Sequence, residues 1–168
     1  MNNCSCIKRE DQAFDFVLDY YDCKGLVFSD ITNWMAEDGY KLPDTFEVEI
    51  TLPSKSKVTK QLKPLTPNII LSKDLSGHKC LQDGIYCFTT ESCGIKYSRT
   101  KAVLCTLKCK LNNFIAKANG EWDKINYLNT LIDSIKRNAE MGLEIQAKQL
   151  FDIVEKELNN LDCQCTCN

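Results

Sequence analysis

Cysteine is the residue of this chain whose chemistry first needs an account, because the sequence holds eleven of them. Cys163, Cys165 and Cys167 alternate, which places them on one side of an extended chain, and Cys4 and Cys6 do the same near the other end. Zinc prefers thiolate ligands, but zinc sites space paired ligands about two to four residues apart, wider than CxC. Two interpretations stay open: a metal site built from these five residues, or buried and idle thiols that behave as small apolar side chains.

A disulfide framework is not expected from the cysteine count. The number is odd, the start MNNCSCIKRED lacks the apolar stretch of a secretion signal, and intracellular thiols are kept reduced. Cys105 and Cys109 are four residues apart on a predicted helix and therefore share a face. Their apolar neighbours favour packing in the core over chemistry; these are Leu104, Leu107 and Leu111.

Catalytic chemistry finds little support in the remaining residues. The one histidine, His78, lies in the turn-rich stretch SGHKC, and no family signature surrounds the cysteines. The glycines are isolated, so neither GxxxxGK nor GxGxxG is present to hold a phosphate. Asp152 and Glu155 are typical of solvated charge on a helix surface. We therefore expect neither an enzyme nor a bound cofactor.

Charge is divided unevenly along the chain, although the net charge is only −2. Residues 1–50 hold 4 basic and 11 acidic residues, residues 51–117 hold 12 and 3, and residues 118–168 hold 5 and 9. Segregated charge favours head-to-tail contact between copies, and such a contact closes into a ring if its rotation permits. The alternatives are charge spread without consequence over solvated surface, or nucleic-acid binding, which the overall acidity disfavours as the main activity. The predicted interface residues are Lys55, Lys57, Lys60 and Lys63, facing a neighbour's acidic N-terminal part or a DNA channel.

Short runs bounded by turn formers fill residues 12 to about 99, which is typical of a small antiparallel β domain of five or six strands. FEVEITLP is the clearest strand, because apolar and polar residues alternate until Pro53. AFDFVLDYY fits either a strand or a turn of helix. SKSKVTKQLKPLTPN predicts a basic hairpin or an edge segment, since Lys and Pro disfavour further strand pairing. DGIYCFTT begins a strand after a turn, and SCG at 92–94 predicts a hairpin tip.

The period changes after residue 100. TKAVLCTLKCKLNNFIAKANG has helical spacing and a stop at Asn119-Gly120, and a second helix begins near Trp122. Met141-Gly142 end it, and a third helix follows from about Leu143. The short connection predicts an antiparallel helical hairpin. Small residues around its turn would let the two helices approach closely; these are Ala139, Gly142 and Ala147.

These patterns together predict an α+β fold. We expect a small antiparallel β-sandwich or barrel-like domain over residues 1–100, then a helix and a C-terminal antiparallel helical hairpin over residues 101–168, with a cysteine-rich tail. A chain of 168 residues with 43% hydrophobic residues can bury a core without help from a disulfide or metal. No apolar run approaches the roughly 18 residues that a membrane-spanning helix needs, so no contact with a membrane is expected.

Several quoted stretches also resemble a known family. Four features of the chain together resemble small virion proteins. They are DGIYCFTT with its returning strand, the helix VLCTLKCKLNNFIAK, the amphipathic helix pair with Ala and Gly at its turn, and LDCQCTCN. These proteins are encoded among the structural genes of crAss-like bacteriophages of gut Bacteroidales and related short-tailed phages. The resemblance covers about residues 83–168. In the N-terminal half only DYYDCKG loosely matches the family's Asp-Thr-Thr-Gly-like opening.

The resemblance implies a dodecameric ring protein of the phage neck or tail, stacked below the portal, through which the genome leaves. Its partners would be copies of itself in the ring, neighbouring ring, portal or tail proteins, and DNA in the channel by non-specific contact. It would be located in the virion after assembly in the bacterial host cytoplasm, and no catalytic residue comes with this role. The alternative is a small intracellular adaptor that binds a partner helix through its helical hairpin.

Overall fold

A computed structural model of the chain describes residues 16–31, 44–92 and 95–161. Within these residues the chain forms two antiparallel sheets accompanied by helices. The strands are β1 (Phe16–Asp22), β2 (Gly25–Asp30), β3 (Phe46–Thr51), β4 (Lys57–Leu62), β5 (Pro67–Leu71), β6 (Gly84–Ser92) and β7 (Ile95–Val103). The helices are α1 (Ser72–Ser76), α2 (Cys105–Lys117), α3 (Trp122–Glu140) and α4 (Glu144–Asn159).

The two sheets confirm the predicted α+β fold. Sheet A has the strand order β1-β2-β5, and sheet B has the order β4-β3-β6-β7. The sheets pack face to face through one apolar core, so the described residues form a sandwich, not a closed barrel. The predicted edge segment is confirmed in β4, which pairs with β3 alone.

The core between the sheets, called the sandwich core here, follows from strands whose alternate residues are apolar. Val48 and Ile50 of β3 are fully buried there, whereas Glu47 of the same strand points to the other face and is exposed. The AFDFVLDYY stretch is a strand over its described part, and its Phe16 ring stacks on Phe28 with centroids 4.5 Å apart. Strands β1, β2 and β3 thus give apolar side chains from one face to this core.

A second core, the helical core, lies on the other face of sheet B. Neighbouring residues of β6 divide between the two cores: Ile85 belongs to the helical core and Tyr86 to the sandwich core. Ala102 and Val103 of β7 divide in the same way. Sheet B is therefore the middle of three layers, with sheet A on one side and the helices on the other.

The predicted hairpin is formed by α3 and α4. The buried stripe of α3 is the predicted one, and Val154 and Leu158 bury the facing side of α4. Ala139 and Ala147 are both buried near the turn, where small side chains allow the helices to approach. None of the helices in the described residues combines the length and apolar character that crossing a membrane requires. The α3 stripe consists of Ile125, Leu128, Ile132 and Ile135.

The first long helix begins later than the sequence pattern predicts. Strand β7 continues to Val103, and the segment from Lys101 to Val103 pairs with Gly84–Tyr86 of β6. The extended backbone is needed here, because Ala102 and Val103 must point into cores on opposite faces of sheet B. Ser92 pairs with Ile95, but the predicted hairpin tip at 93–94 lies outside the described residues.

Candidate assembly surfaces and a cysteine-lined cavity

The four lysines of the predicted interface lie on and beside β4. Lys57 is exposed on the face of sheet B that points away from the sandwich core, and its Nζ is 3.4 Å from Oε1 of Glu49 on β3. Lys60 is the register partner of the fully buried Val48 and so shares the inner face of the edge strand. Lys57 and Lys60 therefore lie on opposite faces. An inward-pointing charge on an edge opposes the addition of a further strand.

Lys55 and Lys63 flank the same strand. Lys55 is exposed in the β3–β4 turn with a φ of 71°, and Lys63 is exposed just after β4. The Lys63 backbone is fixed by the Asn68 side chain, which accepts from its N–H and donates to its carbonyl, both at 3.0 Å. The structure brings the four lysines to one edge but not to one face, and their role in an interface stays a prediction.

The five terminal cysteines of the predicted metal site, together with their surroundings, lie outside the described residues, so that hypothesis also stays a prediction. Among residues 16–31, 44–92 and 95–161, no group of three or more His, Cys, Asp or Glu side chains could hold a metal ion. His78 is exposed and follows Gly77, which ends the short helix α1 in a left-handed conformation. Its position is that of a surface-turn residue, as the sequence predicts.

The outer face of sheet A carries apolar side chains that sequence reasoning missed. Val17, Ile69 and Leu71 are 48%, 53% and 44% exposed, and Val27 lies between β1 and β5 in register with Ile69. We call these four residues the sheet patch. The uninterrupted run NIIL was the available signal, since consecutive apolar residues in a strand make both of its faces apolar.

A second apolar surface lies at the turn of the helical hairpin. Met141, Leu143 and Ile145 are 66%, 37% and 71% exposed, and together they form what we call the hairpin patch. The turn is held by backbone hydrogen bonds, including one that Leu143 N–H donates to Asn138 at 2.8 Å. Because the helices cover the face of sheet B that is opposite to sheet A, the two patches lie in the two outer layers of the molecule.

A cavity of about 330 Å³ opens between the β1–β2 turn and the start of α2. Cys23 and Cys105 line it with free thiols that are hydrogen-bonded to each other, and Cys109 lies one helical turn further along the same wall. The predicted shared face of Cys105 and Cys109 is thus a cavity wall. Its remaining lining residues are Tyr20, Asp22, Leu104, Lys108 and Asn112.

Two cysteines contradict the expectation that the thiols stay reduced. Cys80 and Cys109 are each disulfide-bonded. The expectation rested on the odd number of cysteines and on the redox compartment. Neither says which cysteines lie close together in the fold, and that distance decides whether a disulfide can form. Cys80 precedes Leu81, whose N–H donates to the carbonyl of Cys23, a residue that lines the cavity, at 2.8 Å.

Burial makes the thiols of Cys105 and Cys87 harder to deprotonate. It raises the pKa of Cys105 to about 12, with a further contribution from the contact with Cys23. Burial also raises the pKa of Cys87 to about 11, helped by nearby Glu144. A fast nucleophile or a metal-binding cysteine has the opposite shift, because the thiolate is the reactive form. These two thiols are therefore neutral at physiological pH.

Asp83 holds the helix that forms the cavity wall. Its Oδ1 accepts from the N–H of Thr106 at 2.9 Å, and its Oδ2 accepts from the N–H of Leu107 at 2.7 Å. Both N–H groups belong to the first turn of α2, which needs acceptors from outside the helix. Burial nevertheless raises the pKa of Asp83 above its ordinary value. Sequence reasoning missed this cap because the acceptor comes from a distant turn and not from the residue preceding the helix.

Comparison with protein-family models, with curated proteins and with solved structures gave no match for this chain.

Proposed function

We propose that this protein is a structural subunit that assembles head to tail into a ring in the neck or tail of a short-tailed bacteriophage. The observation that supports assembly is the pair of exposed apolar patches in the two outer layers. A head-to-tail contact is heterologous, so it needs two different surfaces on every copy. The sheet patch of one copy packing on the hairpin patch of the next would satisfy that requirement. The phage setting rests on the resemblance over about residues 83–168.

The chemistry of the interior supports a non-catalytic role. The cavity between the β1–β2 turn and α2 holds the thiol of Cys105, which is neutral at physiological pH, and the carboxylate among its lining residues, Asp22, is exposed. Asp83 is engaged with two backbone N–H groups and caps a helix. These groups stabilise the subunit, and a rigid subunit is what a closed ring needs, since small rotations accumulate around it.

Complementation between two defective variants tests the proposal. Ile69→Asp places a charge in the sheet patch, and Ile145→Asp places one in the hairpin patch. Each variant alone should stay monomeric, because each retains only one half of the contact. An equimolar mixture should form dimers, since the intact sheet patch of one variant meets the intact hairpin patch of the other, but no larger species.

Light scattering with reductant present gives the masses, and Thr59→Asp is the control because Thr59 is exposed on β4 outside both patches. The wild type and Thr59→Asp should give a discrete species near twelve chains. A wild type that stays monomeric at every concentration and salt would count against self-assembly. It would move the function to the adaptor, for which the exposed hairpin patch offers a surface to a partner helix.

A further inference from the structure

We propose that Cys23 and Cys105 form a reversible disulfide that joins sheet A to the first turn of α2. The inference is independent of ring assembly. It rests on two thiols from distant parts of the chain that meet at the wall of one open cavity and contact each other there.

The positions of the two sulfurs suit this chemistry. Cys23 lies in the tight turn between β1 and β2, and Cys105 is the first residue of α2. Both backbones are fixed: the carbonyl of Cys23 accepts from Leu81 N–H at 2.8 Å, and the next two residues of α2 are held by Asp83. The hydrogen bond between the two thiols places their sulfurs side by side, which is the approach that a disulfide requires.

The reaction is thiol–disulfide exchange with an external disulfide such as oxidised glutathione. The exposed Cys23 loses its proton and attacks one sulfur of the external disulfide, which breaks that bond and releases one thiolate. Cys105 then loses its proton and attacks the sulfur of Cys23, which releases the second thiolate. The raised pKa of Cys105 makes this step slow, and the contact with Cys23 keeps the attacking sulfur in place. The two protons end on the two released thiols, and two electrons pass from the cysteine pair to the external disulfide.

The burial of Cys105 favours the disulfide over the two reduced thiols. A dithiol becomes strongly oxidising when its environment stabilises a thiolate. Here burial disfavours the thiolate of Cys105, so a bridge, once formed, resists reduction by ordinary thiols. The bridge would close a loop of about 80 residues around the sandwich, and loops of this size stabilise a fold by restricting its unfolded state.

Oxidation in glutathione buffers of graded ratio tests the proposal on the full chain. After alkylation of the remaining thiols, peptide mass spectrometry should find Cys23 joined to Cys105. The melting temperature should rise by roughly 10 °C between the reduced and the oxidised pair. Cys87→Ser is the matched control, because Cys87 is a free, half-buried thiol outside the cavity, and it should keep both signals.

Cys23→Ser should lose the cross-linked peptide, and its melting temperature should rise less than that of Cys87→Ser, because only the bridges of Cys80 and Cys109 still respond to the buffer. It should stay folded, since Cys23 is exposed in a turn. Three results would overturn the inference. In the first, Cys23 and Cys105 each end as separate glutathione adducts. In the second, both stay reduced while the glutathione buffer is fully oxidising. In the third, either thiol is joined to Cys109, its neighbour in the cavity.

Discussion

The hydroxyl of Tyr20 in β1 accepts a hydrogen bond from the backbone N–H of Leu104 at 3.2 Å, although 84 positions separate the two residues. The same hydroxyl donates to the carbonyl of Ala102. The side chain of Ala102 belongs to the helical core, and Leu104 is the residue before α2. One side chain of sheet A is therefore hydrogen-bonded to the backbone that connects sheet B to the helices. Burial raises the pKa of Tyr20, which keeps this hydroxyl a donor at all ordinary pH values.

Tyr20→Phe should destabilise the fold by about 1–3 kcal/mol, because it leaves a buried N–H and a buried carbonyl without their partner. Urea denaturation followed by fluorescence measures the free energy of unfolding. Tyr127→Phe is the control, since Tyr127 is 51% exposed on α3 and should change stability by less than about 0.5 kcal/mol. Equal stability of the Tyr20 variant and the wild type would show that water replaces the lost hydroxyl.

Periodic local patterns explain why the sequence predicted some elements well. The stripe from Ile125 to Ile135 repeats with the period of a helix, and FEVEITLP alternates with the period of a strand. The bond from Tyr20 and the cap from Asp83 join distant segments, and no local pattern encodes them. The start of α2 was misjudged for a related reason, because Ala102 and Val103 read as helical until both faces of sheet B are known to be buried.

Asp83→Asn should reveal a stability term that falls as pH rises. Burial raises the pKa of Asp83, so the folded chain binds the proton more tightly than the unfolded chain does. This contribution is present below the ordinary pKa of 3.8 and is lost as pH rises through the raised folded value. The variant does not titrate at this position.

The stability of the wild type relative to Asp83→Asn should therefore fall as pH rises above the ordinary carboxyl pKa of 3.8. Urea denaturation at several pH values measures it, and Asp152→Asn, an exposed carboxylate on α4, is the control. A difference that instead grows with pH would mean that the bonds from Thr106 and Leu107 outweigh burial, and that the folded pKa lies below its ordinary value.

Gly84→Ala should be among the most damaging single substitutions in the described residues. Gly84 begins β6 with a φ of 147°, and an added Cβ would lie 2.6 Å from two carbons of the Pro53 ring. The expected loss is about 3 kcal/mol, from backbone strain and from a ring that cannot rotate away. Gly120→Ala should lose only about 1 kcal/mol, because its φ is 86° but nothing lies within 4 Å. Thermal or urea denaturation ranks the two, and equal losses would show that Pro53 moves aside.

Reversing lysines around β4 should separate assembly from stability. Lys55→Glu with Lys63→Glu changes two exposed charges beside the strand, and it should weaken association most at low salt, where charges are least screened. Lys57→Glu should leave assembly intact and change stability by less than about 1 kcal/mol, because Lys57 serves an exposed pair with Glu49.

Lys55→Glu combined with Lys57→Glu and Lys60→Glu should abolish assembly while the monomer stays folded. Light scattering at low and at high salt measures the mass, and circular dichroism checks the fold. The inward position of Lys60 makes the pair of Lys55 and Lys63 the cleaner test, since neither side chain faces the sandwich core. If the double and the triple variant both assemble as the wild type does at every salt concentration, the lysines contribute nothing, and the sheet and hairpin patches alone must hold the copies together.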